Sequence, residues 1–471
     1  MSQDATTPTV AEHPNTSAVL RITIVAAFGG FLFGYDSAVI NGAVSAIDAE
    51  FDAGPVALGV LVASALLGAA AGAFMGGRVA DVLGRVPVMK IAAVLFLVSA
   101  IGCGVVDSYG WLLFWRIVGG VGVGVASVIA PAYIAEVAPA SIRGRLGSLQ
   151  QMGIVLGIFI ALAVDAWLAA IAGGSTEELW LGLEAWRWMF MAEAIPALAY
   201  LIGSFTIPES PRYLVEDGRP GEAQTVLANL QGSASAAERV RLIQESLVRE
   251  HKPRMSDLKG RAAGLKPIVW VGIGLAALQQ FVGINVIFYY SNVLWQSVGF
   301  TEADSFTITV ITSIVNVAVT IVAIALVEKV GRRRLLLVGS AGMTLSLATL
   351  SVLFATADVV DGAPALGPTA GPLALVAANL FVVFFGVSWG PMMWVLLGEM
   401  FPNQIRGAAL AVAGFVQWIA NWLVTVTFPA LADFSLGVAY GLYAFFGLIS
   451  LIFTIKMVRE TTGIELEDMQ D

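Results

Sequence analysis

The sequence predicts an all-α membrane protein: twelve transmembrane helices in two six-helix bundles, with a short helical segment between them. Three observations lead there. Of the 471 residues, 58% are hydrophobic and only 13% are charged, whereas soluble domains carry about 25% charged residues. Apolar runs of about 20 residues, enough to cross a bilayer, recur six times, pause for one hydrophilic stretch, and recur six times again. The loops then share out their basic residues by side, as a multi-pass chain does.

The spans fall near 20–44, 55–77, 88–106, 110–135, 147–170 and 188–207, then near 267–297, 305–327, 334–356, 372–398, 406–430 and 436–457. They divide the chain into a polar tail (1–19), a first bundle (20–207), a linker (208–265), a second bundle (266–458) and a closing tail (459–471). Arg78, Arg85 and Lys90 follow span 2, and Arg143 and Arg145 follow span 4. Lys329, Arg332, Arg333 and Arg334 follow span 8, Arg406 follows span 10, and Lys456 and Arg459 close span 12. Loops on the other side, such as "AIDAEFDAG" and "GFTEADS", hold acids and no Lys or Arg. Positive residues stay inside, so both termini are expected in the cytoplasm. Arg187 and Arg116 alone depart from that face: Arg187 opens span 6 and Arg116 lies within span 4.

Several functions are excluded early. The start lacks the charged head and apolar core of a cleaved signal. One cysteine, Cys103, rules out an internal disulfide. The two histidines, His13 and His251, sit in polar segments, where no imidazole can relay protons through the membrane. No Gly-Lys-Ser/Thr phosphate loop exists. "GGVGVGVAS" (119–127) lies mid-span, and Gly120 and Gly124, like Gly68, Gly72 and Gly76, have the spacing that lets helices pack closely. No nucleophile or metal-ligand spacing appears, so no enzyme activity, cofactor, metal or nucleic acid partner is expected. The net charge of −9 follows from topology and names no partner.

The two halves repeat one another. "EVAPASIRGR" after span 4 returns 263 residues later as "EMFPNQIRGA" after span 10, matching Glu136 and Arg143 to Glu399 and Arg406. After span 2, Asp81-x-x-Gly84-Arg85 is answered by Glu328-x-x-Gly331-Arg332 after span 8. "PESPRYL", with Glu209 and Arg212, has a weaker echo in "RETTGIEL". A parallel repeat of six-span units suits alternating access around a midplane site. The charged loops are expected to form a gate, with acids and bases pairing across the bundles when the inner side is closed.

Together these motifs resemble the sugar porters of the major facilitator superfamily over about residues 20–465. The Gly77–Arg85 loop, "PESPRYL", "QQFVGINVIFYY" (279–290) and the paired Glu-x6-Arg-Gly loops carry the resemblance. "WQSVG", "GEMFPN" and "QWIANW" are similar to the proton-coupled glucose permeases of actinobacteria. The resemblance implies a monosaccharide importer in the cytoplasmic membrane, a glucose:proton symporter first, working as a monomer. An uncoupled uniporter, or a carrier of xylose, galactose, mannose or myo-inositol, is the alternative. Two departures, Val86 for a second basic residue and Thr462 in the closing motif, lie in loop elements outside the substrate region.

Asp36, within "GGFLFGYDSAVINGA", needs a reason, because a charge at bilayer depth costs about 2.5–3.5 kcal/mol on insertion scales. Arg116 is the other charge at that depth, and neither member has an alternative partner in this reading. The guanidinium stays charged, leaving Asp36 as the titrating pole of a proton-coupling pair. The resemblance agrees: proton-coupled members carry Asp at this place, and human facilitative ones Asn.

A sugar offers hydroxyls that donate and accept, and an apolar C–H face, so neutral amides and aromatic rings fit it. Gln279, Gln280 and Asn285 in span 7 supply such groups, as do Trp389 and Trp394 in span 10, and Gln417, Trp418 and Asn421 in span 11. Span 7 is expected to break near Gly283, and span 10 to flex around Gly386, Gly390 and Pro391. The resemblance places sugar-binding residues at Gln151, Gln279, Gln280, Asn285, Asn316, Trp389 and Gln417, with Trp418 close by. Tyr289 and Tyr290 are expected as an outer gate. Trp111, Trp115, Trp180, Trp186 and Trp188 are assigned to the membrane interface.

Overall fold

A computed structural model of the chain describes residues 15–139, 142–249, 255–360, 363–402 and 404–460. The expectations for His13, His251, the two polar tails and the side chains of Arg143 and Glu328 lie outside the described residues.

Continuous apolar sequence gives long helices. The first half contains α1 (Thr16–Phe51), α2 (Gly54–Leu83), α3 (Arg85–Val105), α4 (Tyr109–Val137) and α5 (Arg143–Ala172). At about 1.5 Å per residue, each is long enough to cross the hydrocarbon core. The Asn15 side chain caps α1 by accepting the amide hydrogen of Ala18 at 3.1 Å. A hairpin of β1 (Glu178–Trp180) and β2 (Leu183–Glu184) precedes α6 (Ala185–Ala192) and α7 (Ala194–Ser204), which meet at Glu193 and together make span 6. Next come α8 (Pro211–Glu216), α9 (Pro220–Gln231) and α10 (Ser233–Arg249), short helices that pack on one another.

The second half contains α11 (Pro267–Phe281), α12 (Ile284–Tyr289), α13 (Ser291–Ser297), α14 (Glu302–Val330), α15 (Arg332–Ala355), α16 (Ala370–Val387), α17 (Trp389–Met400) and α18 (Arg406–Met457). Ser435 turns to extended backbone inside α18 and divides it into spans 11 and 12. Span 7 is α11 with α12, interrupted at Gly283, whose φ of 81° is the left-handed conformation glycine tolerates. Span 10 is α16 with α17, interrupted at Ser388. Both breaks fall where the glycines of spans 7 and 10 were expected to place them. Twelve spans in two six-helix bundles result.

Within the first bundle α1 packs on α5, and α2 on α4; in the second, α15 packs on α18, and α14 on α16. The halves meet where α2 lies along α18 and α5 along α14. Close approach depends on bare backbone: a β-carbon at Gly120 of α4 would stand 2.0 Å from the Ala65 carbonyl oxygen of α2, and one at Gly124 2.0 Å from that of Ala69. The helix-packing reading of these glycines matches that geometry.

One assignment to the membrane interface fails. Trp186 is buried, edge-on to both Phe51 and Phe190. Its neighbour Arg187, at the start of span 6, explains why. That guanidinium, 3% exposed, pairs with Glu50, with Asp107 at 3.2 Å and with Glu184 at 2.7 Å, and donates to the Val106 carbonyl. It lies 4.7 Å from the centre of the Trp186 ring. The tryptophan is walled in by the charge cluster beneath which it sits. Trp111 and Trp180 remain exposed.

Candidate functional site

The first site is ionic and lies inside the first bundle. Arg116 of α4 donates from Nη1 to the Asp36 carboxylate Oδ1 at 3.2 Å and to the Asp36 carbonyl at 3.1 Å. Both residues are 1% exposed. Gly119, one turn along α4, makes the room: a β-carbon there would stand 2.9 Å from Asp36 Oδ1. Asp36 Oδ2 and Arg116 Nε have no hydrogen-bond partner, so the pair is incompletely satisfied where such groups are normally bonded.

The expectation that this pair stands alone is wrong. Glu193, between α6 and α7, is 1% exposed and within electrostatic reach of both Asp36 and Arg116. Asp165 of α5 is 0% exposed and lies on the bare backbone of Gly42 in α1. Among the described residues, Asp36, Asp165 and Glu193 are the buried carboxylates, and all three belong to the first half. The rule that flagged Asp36 would have flagged both others, in "LAVDAW" and "MAEAIP".

The second site is neutral and belongs to the second half. Gln279 is its hub. It donates from Nε2 to the carbonyls of Trp389 at 3.0 Å and Gly390 at 3.2 Å, at the head of α17. Its Oε1 accepts from Gln280 at 3.0 Å and from Gln417 of α18 at 2.9 Å. Asn285 donates to Gln280 Oε1 at 2.6 Å across the Gly283 break. The unwound turn thus brings Asn285 back onto the face that carries Gln280. Four amides are linked in one chain, each holding donors and acceptors that a polyhydroxylated ligand can take over.

The remaining predicted residues divide. Asn316 of α14 is 8% exposed, and its Oδ1 would stand 3.8 Å from a β-carbon at Gly386 of α16. Trp418 is half-buried, its ring 5.8 Å from that of Phe33 in α1, so it spans the two halves. Gln151 is half-buried in α5, with no hydrogen bond to the amide chain. Trp389 offers its backbone carbonyl to Gln279, while its fully buried indole turns away and donates to Ser340 Oγ at 2.8 Å. Trp394 behaves differently. It is 44% exposed, and its ring would meet a β-carbon at Gly414 at 3.7 Å, one turn from Gln417 and Trp418 on the same face of α18.

Opposite the basic ends of the bundles, the halves are tied together. Asn41 of α1 donates from Nδ2 to the Phe288 carbonyl at 2.9 Å and accepts the Asn292 amide hydrogen at 3.1 Å. Ser175 donates its amide hydrogen to Glu302 at 3.1 Å. Tyr289 reaches Ser37 of the first half and Asn421 of the second, and within the second half Tyr290 donates to the Thr425 carbonyl at 2.9 Å.

At the basic ends, the charge pairs join helices of one half. Arg85 pairs with Glu136 at 3.0 Å and with Asp81 at 3.6 Å, and Ser210 also donates to Glu136. Glu209 accepts the amide hydrogens of Arg85 and Val86. In the second half Arg332 pairs with Glu399 at 2.9 Å, and Glu460 accepts the amide hydrogens of Arg332 and Arg333 at 3.0 and 3.2 Å. Arg406 donates to the Phe401 carbonyl, and Arg212 is half-buried in α8. Arg85, Glu136, Arg332 and Glu399, expected to reach across the bundles, each pair with a residue of their own half here. The weak echo of "PESPRYL" in "RETTGIEL" becomes an equivalence of contacts.

The family model for "Sugar (and other) transporter" matches residues 22–471. A "Glucose transport protein" of Synechocystis sp. is 57% identical over 457 residues, covering 97% of both chains. The "D-xylose-proton symporter" of Escherichia coli K12 is 37% identical over 492 residues, covering 97% of this chain and 96% of its own. The structure of the Escherichia coli xylose transporter XylE in its inward open conformation superposes with a TM-score of 0.81 at 36% identity, covering 96% of this chain and 99% of that one. Family model, relatives and superposed structure all match along nearly the whole chain, and the protein belongs to the sugar transporter family of the major facilitator fold.

Proposed function

We propose that this protein is a glucose:proton symporter that imports its sugar by alternating access. The observation that carries the reading is the division of labour between the halves. Buried carboxylates, with Arg116 among them, sit in the first half, and the neutral amide chain on Gln279 sits in the second. Trp418 against Phe33 links the two across the interface. The relatives named for glucose transport and for xylose–proton symport support the same pairing of sugar and proton.

In this reading the sugar replaces the amide-to-amide bonds of Gln279, Gln280, Asn285 and Gln417, with Asn316, Gln151, Trp418 and a span-10 aromatic around it. Asp36 takes a proton from outside, loosens its hold on Arg116, and permits the loaded bundles to rock. The proton leaves on the inner side. The Arg85–Glu136 and Arg332–Glu399 clusters, with Asp81, Arg143, Glu209, Arg212, Glu328 and Arg406, are the cytoplasmic gate. Asn41 and Glu302 close the outer end, which supports an inward-facing form. Both termini lie in the cytoplasm, the chain resides in the cytoplasmic membrane, and one copy suffices.

Proteoliposomes test this. Wild-type protein is expected to accumulate labelled glucose when the outside is made acidic, and Asp36→Asn to exchange glucose without accumulating it. Wild-type vesicles that equilibrate glucose and never concentrate it would leave a uniporter. Competition by xylose, galactose, mannose and myo-inositol identifies the sugar.

A further inference from the structure

Asp165 has no role in the transport cycle described so far, yet it is the most completely enclosed carboxylate of the first bundle. It is 0% exposed, and its oxygens make no well-formed hydrogen bond, with the Gly42 backbone beside them. Its carboxyl lies against Gly42, where a β-carbon on α1 would stand 2.8 Å from Oδ2. An uncompensated anion in such a place is so costly that a carboxyl group holds a proton instead.

The neighbours show where that proton can go. Tyr35 lies two turns before Gly42, on the same face of α1. Its hydroxyl is also unpartnered, and it stands within electrostatic reach of Asp165 and Glu193. Glu193 in turn reaches Asp36 and Arg116, and its Oε1 is unpartnered like Asp36 Oδ2. On the elements packed on α5, α4 contributes Arg116, held by Asp36, and α6 contributes Arg187, held by Glu50, Asp107 and Glu184; α14 contributes Glu302, bonded to Ser175, while Arg21 at the start of α1 and Lys329 at the end of α14 are exposed at the basic ends. A row of buried, unsatisfied oxygens is the pattern that internal water completes.

We propose that Asp165, Tyr35 and Glu193 form a proton track inside the first bundle that delivers the transported proton to Asp36 without crossing the sugar cavity. The proposal rests on the symport reading. Each hop breaks one O–H bond on the donor and forms one on the acceptor, with water at the outer end supplying the proton and intervening water bridging the gaps. Burial of Asp165 in this form, whose outer end is closed by Asn41 and Glu302, shuts the track and prevents a leak. Parting of the outer ends wets it.

The test uses the full chain in proteoliposomes and reads three quantities: the initial rate of acid-driven glucose uptake, the final accumulation ratio, and counterflow exchange at equal pH. Asp165→Asn keeps the shape and cannot pass a proton. It is expected to lower the initial rate at least tenfold while leaving the final ratio and counterflow as in wild type; Tyr35→Phe is expected to lower the same rate. A wild-type rate in Asp165→Asn overturns the track, and so does a reduced final ratio, which makes Asp165 a stoichiometric site and no relay. If Asp165→Asn loses counterflow by misfolding, Tyr35→Phe decides, and its wild-type rate overturns the track. Wild-type protein that never accumulates glucose overturns the symport reading itself, whereas normal variants in a working symporter overturn only the track.

Discussion

Asn41 accepts the amide hydrogen of Asn292 at 3.1 Å and so fixes the outer end of broken span 7 to α1. Its own amide is bonded at 2.9 Å to the Phe288 carbonyl, so one side chain in one half holds two backbone groups in the other. Two such bonds, at about 1 kcal/mol each, bias the closed outer end by roughly 30-fold. Asn41→Ala is therefore expected to populate the outward-open form. Spin labels on Thr176→Cys and Ala303→Cys report it cleanly, because Cys103 is buried. A longer distance between them in the variant is predicted; an unchanged distribution removes Asn41 from the gate.

Glu460 bonds two amide hydrogens at the start of α15 as Glu209 does at the start of α3. A carboxylate at a helix N-terminus contributes about 0.5–2 kcal/mol through capping and the helix dipole. Glu209→Ala and Glu460→Ala are expected to lower thermal stability in detergent by that amount each. Because they act on separate halves, the double variant should show the sum. Strong non-additivity contradicts independent caps.

Arg187 is expected to matter far more than Arg241. Removing the buried Arg187 leaves Glu50, Asp107 and Glu184 without their shared cation, and Arg187→Met should cost about 1–3 kcal/mol, seen as a lower midpoint in thermal unfolding. Arg241, exposed on α10, donates to Glu238 and Glu245. Its hydrogen bond to Glu238 holds that carboxyl below its usual range. Whatever Glu238 contributes is present above the ordinary carboxylate value and is lost as pH falls through the lowered one. Arg241→Ala should leave thermal stability and transport near wild type at neutral pH.

The amide hub separates binding from packing. Gln279→Ala removes partners of Gln280, Gln417 and two carbonyls, and should raise the KM for glucose about ten- to a hundredfold, equivalent to about 1–3 kcal/mol. Trp394→Leu is expected to raise KM as well. Trp389→Phe, which loses the bond to Ser340, is expected to lower stability and leave KM unchanged. The opposite assignment of the two tryptophans contradicts the geometry of span 10.

These tryptophans show where sequence reading reaches its limit. Hydropathy is local, so all twelve spans were legible, and so were the breaks at Gly283 and near Gly386, because glycine announces them. The amides of spans 7 and 11 were legible because a polar side chain at bilayer depth needs a partner. Trp389 and Trp394, however, flank the break at Ser388, and the helical phase on either side depends on tertiary packing that no local pattern carries. The clusters on Arg85 and Arg332 recur visibly in sequence, but whether they pair within a half or across halves depends on which end of the molecule is open. Glu193 and Asp165 needed no structure to be found. Each is a carboxylate inside an apolar run, the same signal that marks Asp36.

What ties these observations together is a proton moving with the sugar through Asp36. Glucose accumulation in proteoliposomes under an inward acid gradient, read beside counterflow in the same preparation, decides it. Wild-type protein should concentrate glucose while Asp36→Asn exchanges it at a comparable rate and reaches only equality. An Asp36→Asn variant that still concentrates glucose contradicts the coupling role of this carboxylate.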